Sequence, residues 1–256
     1  MSRPTPPPRP RIGGRIVRLA TTPSTSDVAK QLLRSGEPHG TVVVAAEQTR
    51  GRGQRARRWA SPPGGLWASL LARPTGVPAT RAGLVGLAVA VAAAQATTAV
   101  SGVPVMLKWP NDLLASRRKV GGVLVETAVA GGRVTWAVIG IGINVNVSLD
   151  DLPHPLRLTA ASLREEVGKP VSLSALLREI CARVDQNLRL LEAGEGGKIL
   201  SAWRALDTTV GRSVRASRGQ RWHGTTAGVD SLGRLLVRIA GGRIVKLTTS
   251  SGVVIE

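Results

Sequence analysis

The pattern of apolar and polar positions divides the chain into alternating strand-like and helix-like segments. Short β-branched runs predict strands, whereas apolar positions that recur every three or four residues predict helices. The helical pattern is clearest in Leu173–Glu192, where six leucines and isoleucines and Val184 follow that spacing. The predicted helices are 27–34, 82–100 and 173–192, and the predicted strands before residue 203 are 16–19, 41–46, 66–72, 105–109, 122–127 and 134–145.

The pattern changes after Trp203, where short β-type runs alternate with glycine-containing turns, which predicts a small all-β unit. We therefore predict an α+β fold with a mixed β-sheet packed against helices. The predicted divisions are a disordered Pro/Arg-rich arm (1–14), a large α+β main domain (15–206) and a C-terminal β-domain (207–256). The predicted strands of the C-terminal domain are 213–216, 224–229, 235–239 and 244–247.

Composition narrows the class of protein. The hydrophobic share of 43% excludes wholesale disorder. The longest nearly apolar stretch, 82–94, is shorter than the ~18 residues that a membrane span needs, and no secretory signal pattern is present. The single cysteine, Cys181, excludes a disulfide framework and a cysteine-rich zinc site, and fits a reducing cytoplasm. Because Cys181 lies on the apolar stripe of its helix, we expect a core residue.

The net charge of +19 attracts nucleic acid, acidic protein surfaces and phosphorylated small molecules alike. A solvated basic surface explains the same number, so charge alone does not choose a partner. The arginines are densest in one segment, 48–59, which follows a predicted strand.

This arginine loop has the composition of an anion-binding segment. Gly51 and Gly53 let the backbone approach a ligand, the arginines offer guanidinium forks for phosphate, and Trp59 can stack on a base. A solvated basic loop is the alternative. Gly51-x-Gly53-x-x-Ala56 loosely matches a dinucleotide fingerprint, but the Pro-Pro-Gly-Gly run after Trp59 cannot open the required helix. There is no P-loop motif either.

Three further segments carry polar residues at strand ends. Lys108-Trp-Pro-Asn-Asp112 presents an amide and a carboxylate at a turn, although such a turn also occurs for structural reasons alone. Lys119 stands at the head of an otherwise apolar strand, where a lysine can meet a carboxylate. Ile139-Gly-Ile-Gly-Ile-Asn-Val-Asn146 leaves room for a ligand at its glycines and ends in amides.

Taken together, and in this order, these four segments resemble the biotin protein ligase family over about residues 16–256. The family's markers are a Gly-Arg-Gly-Arg-x-Gly-Arg-x-Trp loop, Lys-Trp-Pro-Asn-Asp, Lys-x-x-Gly-x-Leu-x-Glu and Gly-x-Gly-x-Asn. The resemblance implies a mixed-sheet catalytic domain with an SH3-like C-terminal barrel. It also implies the ligase-only class, without an N-terminal DNA-binding domain.

The resemblance also implies a set of site residues. The catalytic group would be Lys119, Arg52 and Asp112, with Lys119 meeting biotin's carboxylate and Asp112 orienting or deprotonating the incoming lysine. The biotin-binding residues would be Ser24, Thr25, Ser26, Gln48, Arg52, Gly53, Gln54 and Lys119. The ATP-binding residues would be Arg55, Arg57, Trp59, Lys108, Asn111, Asp112 and Asn144. No dedicated metal site is implied, since Mg²⁺ would arrive with ATP, near Asn144.

The implied reaction forms biotinyl-5'-AMP from biotin and ATP, then transfers biotin to a lysine of a biotin carboxyl carrier domain of an acyl-CoA carboxylase. We expect a cytoplasmic enzyme with no specific nucleic acid and no membrane partner, and homodimerisation is left open. A lipoate–protein ligase shares the fold but would not need the arginine loop with Lys-Trp-Pro-Asn-Asp. A nucleic-acid-binding module would explain the charge but not Lys119.

The sequence departs from the family at four positions, and one of these is Arg50, which replaces a small residue. Ser26 replaces the usual Asn, and Gln54 stands where an arginine is usual, which removes one cation beside the adenylate. Ala56 stands where residues that tolerate positive φ are commoner, so a positive φ there would cost roughly 1–2 kcal/mol.

Overall fold

The structure is a computed structural model, which describes residues 11–216, 222–249 and 253–255. The described residues form a seven-stranded mixed sheet packed with helices, followed by a separate five-stranded antiparallel sheet. The predicted α+β fold is therefore confirmed. Residues 1–10 of the predicted disordered arm lie outside the described residues.

The larger sheet has the strand order β1-β2-β3-β7-β6-β5-β4. The pair β1–β2 is parallel, and the other neighbouring pairs are antiparallel. Its strands are β1 (Arg15–Thr22), β2 (Thr41–Gln48), β3 (Leu66–Ala72), β4 (Met106–Lys108), β5 (Asp112–Ala115), β6 (Arg118–Ala130) and β7 (Arg133–Ile143).

The helices agree with the sequence where the apolar periodicity is long. The prediction for 173–192 matches the observed helix at both ends. Two short helices, at 154–157 and 163–167, were missed because their patterns are brief, and the helix at 196–206 was missed because it opens with two glycines. The helices are α1 (Thr25–Arg34), α2 (Gly83–Ser101), α3 (His154–Arg157), α4 (Leu163–Val167), α5 (Leu173–Glu192) and α6 (Gly196–Leu206).

Strand alternation gives the sheet two buried faces. Neighbouring residues of a strand point to opposite sides, so Val42 and Leu70 join the main core, whereas Val43 and Leu71 join a second cluster. Helix α1 packs on the second face, over β2, β3 and β7. Helices α2, α5 and α6 cover the first face and one another, which fixes the sheet between two layers.

Helix α2 extends beyond the apolar stretch at 82–94. Its 19 residues are long and apolar enough to cross a membrane by length and composition, so the expectation that no segment reaches that length is wrong. In the protein this helix packs against α5, α6 and the sheet, and two thirds of it is buried. That is the environment of a core helix, and its alanines allow close packing.

The smaller sheet lies against the edge of the larger one. Part of this contact is made by Trp109, whose backbone N–H donates to Thr209 Oγ1 (2.8 Å) and whose indole Nε1 donates to Gly233 O (3.1 Å). This contact brings the last strand beside the end of β4. The strands of the smaller sheet lie side by side in the order β11-β10-β9-β8-β12. In chain order they are β8 (Ser213–Ala216), β9 (His223–Val229), β10 (Leu235–Ile239), β11 (Ile244–Leu247) and β12 (Val253–Ile255).

Candidate active site

A cleft of about 440 Å³ opens between the arginine loop, the β5–β6 hairpin, the segment 152–160 and β12. It gathers segments that are far apart in the chain, as the four motifs predict. Most of the predicted site residues line it: Arg52, Gly53, Gln54, Arg55, Arg57, Trp59, Lys108, Asn111, Asp112, Lys119 and Asn144.

An ion pair between Lys119 and Asp112 lies in this cleft. Lys119 Nζ is 2.5 Å from Asp112 Oδ1, and both side chains are partly exposed, by 36% and 29%. The β5–β6 hairpin creates the pair through a two-residue turn, in which Ser116 and Arg117 both have positive φ, as tight hairpins require. Hydrogen bonds from Lys119 N to Thr159 O (2.7 Å) and from Ala161 N to Lys119 O (2.8 Å) fix the strand on its other side.

Trp59 forms the wall opposite Lys119. Its ring centroid is 5.1 Å from Lys119 Nζ, within cation–π range. The ring packs over Gly142, where an added Cβ would lie 2.7 Å from the indole Nε1, so only glycine fits. This Nε1 is buried and has no hydrogen-bond partner among the described residues. A buried donor without an acceptor in a cleft is suited to a ligand oxygen.

The arginine loop is a tight backbone hairpin. Gly53 N donates to Arg57 O (2.8 Å), and Trp59 N donates to Gly51 O (2.9 Å). An added Cβ at Gly51 would lie 2.4 Å from Trp59 O, which explains the glycine. The left-handed residue of the loop is Arg55, with φ 57°. The unfavourable positive φ that the sequence suggested for Ala56 therefore occurs at Arg55, one position earlier.

The arginines of the loop have different partners. Arg52 pairs with Asp27 of α1 (2.6 Å) and with Glu126 of β6 (3.6 Å), so its guanidinium ties the loop to the body of the domain. Within the described residues, Arg55 and Arg57 form no ion pair. Their charges are free to meet phosphates, whereas the contacts of Arg52 suit loop positioning better than the predicted catalytic role.

The predicted biotin-facing residues at the start of α1 form a buried polar network beside the cleft. Gln48 Oε1 accepts hydrogen bonds from Thr25 N (2.8 Å) and Thr25 Oγ1 (3.0 Å), and Ser69 Oγ lies 2.8 Å from Thr25 Oγ1 and 3.1 Å from Ser26 Oγ. Ser24 Oγ is buried and has no partner among the described residues. The four predicted residues, Ser24, Thr25, Ser26 and Gln48, do not line the 440 Å³ cleft itself.

Ser61 and Ser69 belong to this network but were not among the predicted site residues. Ser61 Oγ accepts from Gln48 Nε2 (2.8 Å), and Ser69 is fully buried. The available signal was a serine within the apolar strand β3. A hydroxyl there needs a partner, and the partners come from α1, which only the tertiary structure brings near.

Asn111 and Asn144 each commit their amide nitrogen to the backbone. Asn111 Nδ2 donates to Val123 O (2.6 Å), and Asn144 Nδ2 donates to Ala161 O (3.0 Å). Each therefore has its amide oxygen to offer to a ligand. In the described part of the chain, no group of three or more His, Cys, Asp or Glu could hold a metal ion. One or two protein oxygens suffice for Mg²⁺ that arrives with phosphates, and the amide oxygen of Asn144 fits that demand.

The smaller sheet completes the cleft, a role that no pattern in the sequence predicted. Val253, Val254 and Ile255 of β12 line it, and Lys108 Nζ donates to Ile255 O (3.1 Å). Lys108 is thus held at the domain boundary. The short apolar run at 253–255 gave no sign of this role in the sequence.

Comparisons with known proteins show the family to which this chain belongs. Residues 19–144 match the model of the biotin/lipoate A/B protein ligase family. The bifunctional ligase/repressor BirA of Bacillus subtilis is 32% identical over 233 residues, which cover 90% of this chain and 71% of the relative. The biotin–[acetyl-CoA-carboxylase] ligase of Paracoccus denitrificans is 32% identical over 229 residues, 88% of this chain and 95% of the relative.

Among solved structures, the biotin protein ligase from Aquifex aeolicus in complex with biotin and ATP is similar to this chain, with a TM-score of 0.80 and 26% identity. The similarity covers 94% of this chain and 98% of that one. The chain therefore belongs to the biotin/lipoate A/B protein ligase family. Within that family its relatives are biotin protein ligases, so the resemblance predicted from the motifs is confirmed.

Proposed function

We propose that the chain is an ATP-dependent biotin protein ligase that forms biotinyl-5'-AMP and transfers biotin to a lysine of a carrier domain. Family membership and the relatives support this activity. The structural observation that supports the proposal is the Lys119–Asp112 ion pair beside the Trp59 ring, in a cleft lined by the arginine loop.

In the first step, a carboxylate oxygen of biotin attacks the α-phosphorus of ATP, a new C–O–P linkage forms and pyrophosphate leaves. Two anions must approach each other, so fixed positive charge lowers the barrier. Lys119 supplies it at the carboxylate, and Arg55 and Arg57 supply it at the phosphates. Asn144 would hold the Mg²⁺ that accompanies ATP, which offsets phosphate charge when it is bound.

Biotin has a polar and an apolar half, and the site offers both environments. The hydroxyl and amide network of Thr25, Ser26, Gln48 and Ser69 suits the ureido ring. The apolar lining of the cleft at Val123 and Leu124 suits the apolar ring and chain. The carboxylate end then lies toward Lys119.

In the second step, the neutral amine of the carrier lysine attacks the carbonyl carbon of the adenylate. An amide forms, AMP leaves, and the amine loses one proton. Asp112 is the base we assign to that proton, because it is the one carboxylate lining the cleft among the described residues. Its 29% exposure lets an incoming side chain reach it.

The carrier we infer is the biotin carboxyl carrier domain of an acyl-CoA carboxylase, since two relatives are named as acetyl-CoA-carboxylase ligases. We place the reaction in the cytoplasm, where the single buried cysteine stays reduced.

The direct test is mass spectrometry of a purified carrier domain after incubation with the protein, biotin and MgATP. We expect a gain of one biotinyl group that requires ATP and the carrier lysine. Parallel reactions with lipoate in place of biotin test the sister activity of the family. Modification with lipoate only, or no modification together with no biotin-dependent ATP–pyrophosphate exchange, would refute the proposal.

A further inference from the structure

We propose that Asp112 and the carboxylate of biotin compete for Lys119, so that entry of biotin releases Asp112 for the carrier lysine. The idea rests on the proposed function. It assigns Lys119 and Asp112 a joint role in ordering the two steps, beyond their separate roles in each.

The starting point is the ion pair between these two residues. Lys119 Nζ and Asp112 Oδ1 are 2.5 Å apart, so the lysine that should receive biotin already has a carboxylate partner. The pair is built in, because Asp112 begins β5, Lys119 is the second residue of β6, and a two-residue turn joins these strands. Both side chains are partly exposed, so a ligand can reach and replace either partner.

The cleft offers Lys119 little choice of partner. Asp112 is the one carboxylate that lines it within the described residues, and the Trp59 ring stands 5.1 Å from the ammonium on another side. A second carboxylate on the same ammonium would place two negative charges beside one positive charge. The approach of biotin therefore weakens the hold of Lys119 on Asp112.

The release of Asp112 has a consequence for the second step. While paired with Lys119, Asp112 is a poor acceptor for another ammonium group. Once biotin has taken over Lys119, Asp112 becomes a free carboxylate, able to attract and orient the positively charged carrier lysine. The carrier lysine is thus drawn into the cleft after biotin has entered, which favours productive encounters.

The experiment measures binding without ATP, by isothermal titration calorimetry with biotin and with biotinol, the alcohol analogue that lacks the carboxylate. We expect Asp112→Asn to bind biotin about three- to fivefold more tightly than the wild-type protein, the size expected for neutralising one partner of a partly exposed ion pair. Biotinol should bind the two proteins equally, which also shows that the variant is folded. Equal biotin affinities would overturn the proposal.

A Lys119→Met background separates competition from simple repulsion between the two carboxylates. If they compete for the ammonium, adding Asp112→Asn to Lys119→Met should change biotin affinity by less than about 1.5-fold, since the shared partner is gone. A gain of the same size in both backgrounds would show direct repulsion and overturn the proposal.

The matched control is Glu166→Gln. Glu166 does not line the cleft, and its carboxylate lies 2.8 Å from the guanidinium of Arg118, the residue before Lys119. The substitution therefore neutralises a carboxylate near Lys119 but outside the cleft. Both ligands should bind it as they bind the wild-type protein, and a tighter hold on biotin would overturn the proposal by showing a general charge effect. Failure of the proposed function looks different, because wild-type protein would then bind neither biotin nor biotinol.

Discussion

Replacing Lys119 by alanine should slow adenylate formation by about 10²-fold or more. The substitution removes the ammonium that faces Asp112 at 2.5 Å and the Trp59 ring at 5.1 Å, and with it the positive charge for biotin's carboxylate. The first step then joins two anions with less compensation. The loss should appear in kcat/KM for biotin, because Lys119 meets the carboxylate before the reaction and offsets the repulsion between the two anions during it.

The magnitude follows from the position of Lys119 in the cleft. Two unit charges about 4 Å apart interact by about 1 kcal/mol in water and about 4 kcal/mol at the effective dielectric constant near a protein surface. The Lys119 side chain is 36% exposed, which places it between these limits. An intermediate value of roughly 2.7 kcal/mol corresponds to about 10²-fold in rate.

The assay is biotin-dependent exchange of labelled pyrophosphate into ATP, which reports the first step without a carrier protein. Thermal unfolding of the variant shows whether the fold is retained. Lys198→Ala is the matched control, because Lys198 lies on α6 with 67% of its side chain exposed and outside the cleft. Near-normal exchange by folded Lys119→Ala would remove Lys119 from the site.

Three further predictions concern the loop, the surface charge and the cysteine. Gln54→Arg should slow the release of labelled biotinyl-adenylate, because a charge-assisted hydrogen bond is roughly twice as strong as a neutral one; equal release rates would make Gln54 a spacer. Carrier kcat/KM should fall markedly between ~50 and ~300 mM salt, because the +19 charge speeds encounter with an acidic carrier; salt-independent values would contradict this. Burial, with a smaller contribution from the charge of Asp185, raises the pKa of Cys181 to about 12; the thiol should therefore resist Ellman's reagent at pH 8 until the protein unfolds, and rapid labelling of folded protein would show otherwise.

The local sequence pattern predicted the elements that have a long apolar repeat or a continuous apolar run. The apolar repeat of α5 and the apolar run of β3 set their own ends, because helix and strand periodicity depend on residues a few positions apart. β5 and β12 carry too few residues for such a signal and were missed, whereas α6 was missed because it opens with two glycines, which are unfavourable in helices. The four motifs likewise named most of the residues that line the cleft.

The sequence by itself thus determined the α+β class, the arginine loop and the candidate lysine, since each is written in neighbouring residues. Only the tertiary structure decided which of them touch. Trp59 meets Gly142 across 83 positions of chain, and Lys108 meets Ile255 across 147. Contacts over such distances depend on the order of strands in the sheet and on how the small domain packs against its edge, and a local pattern encodes neither.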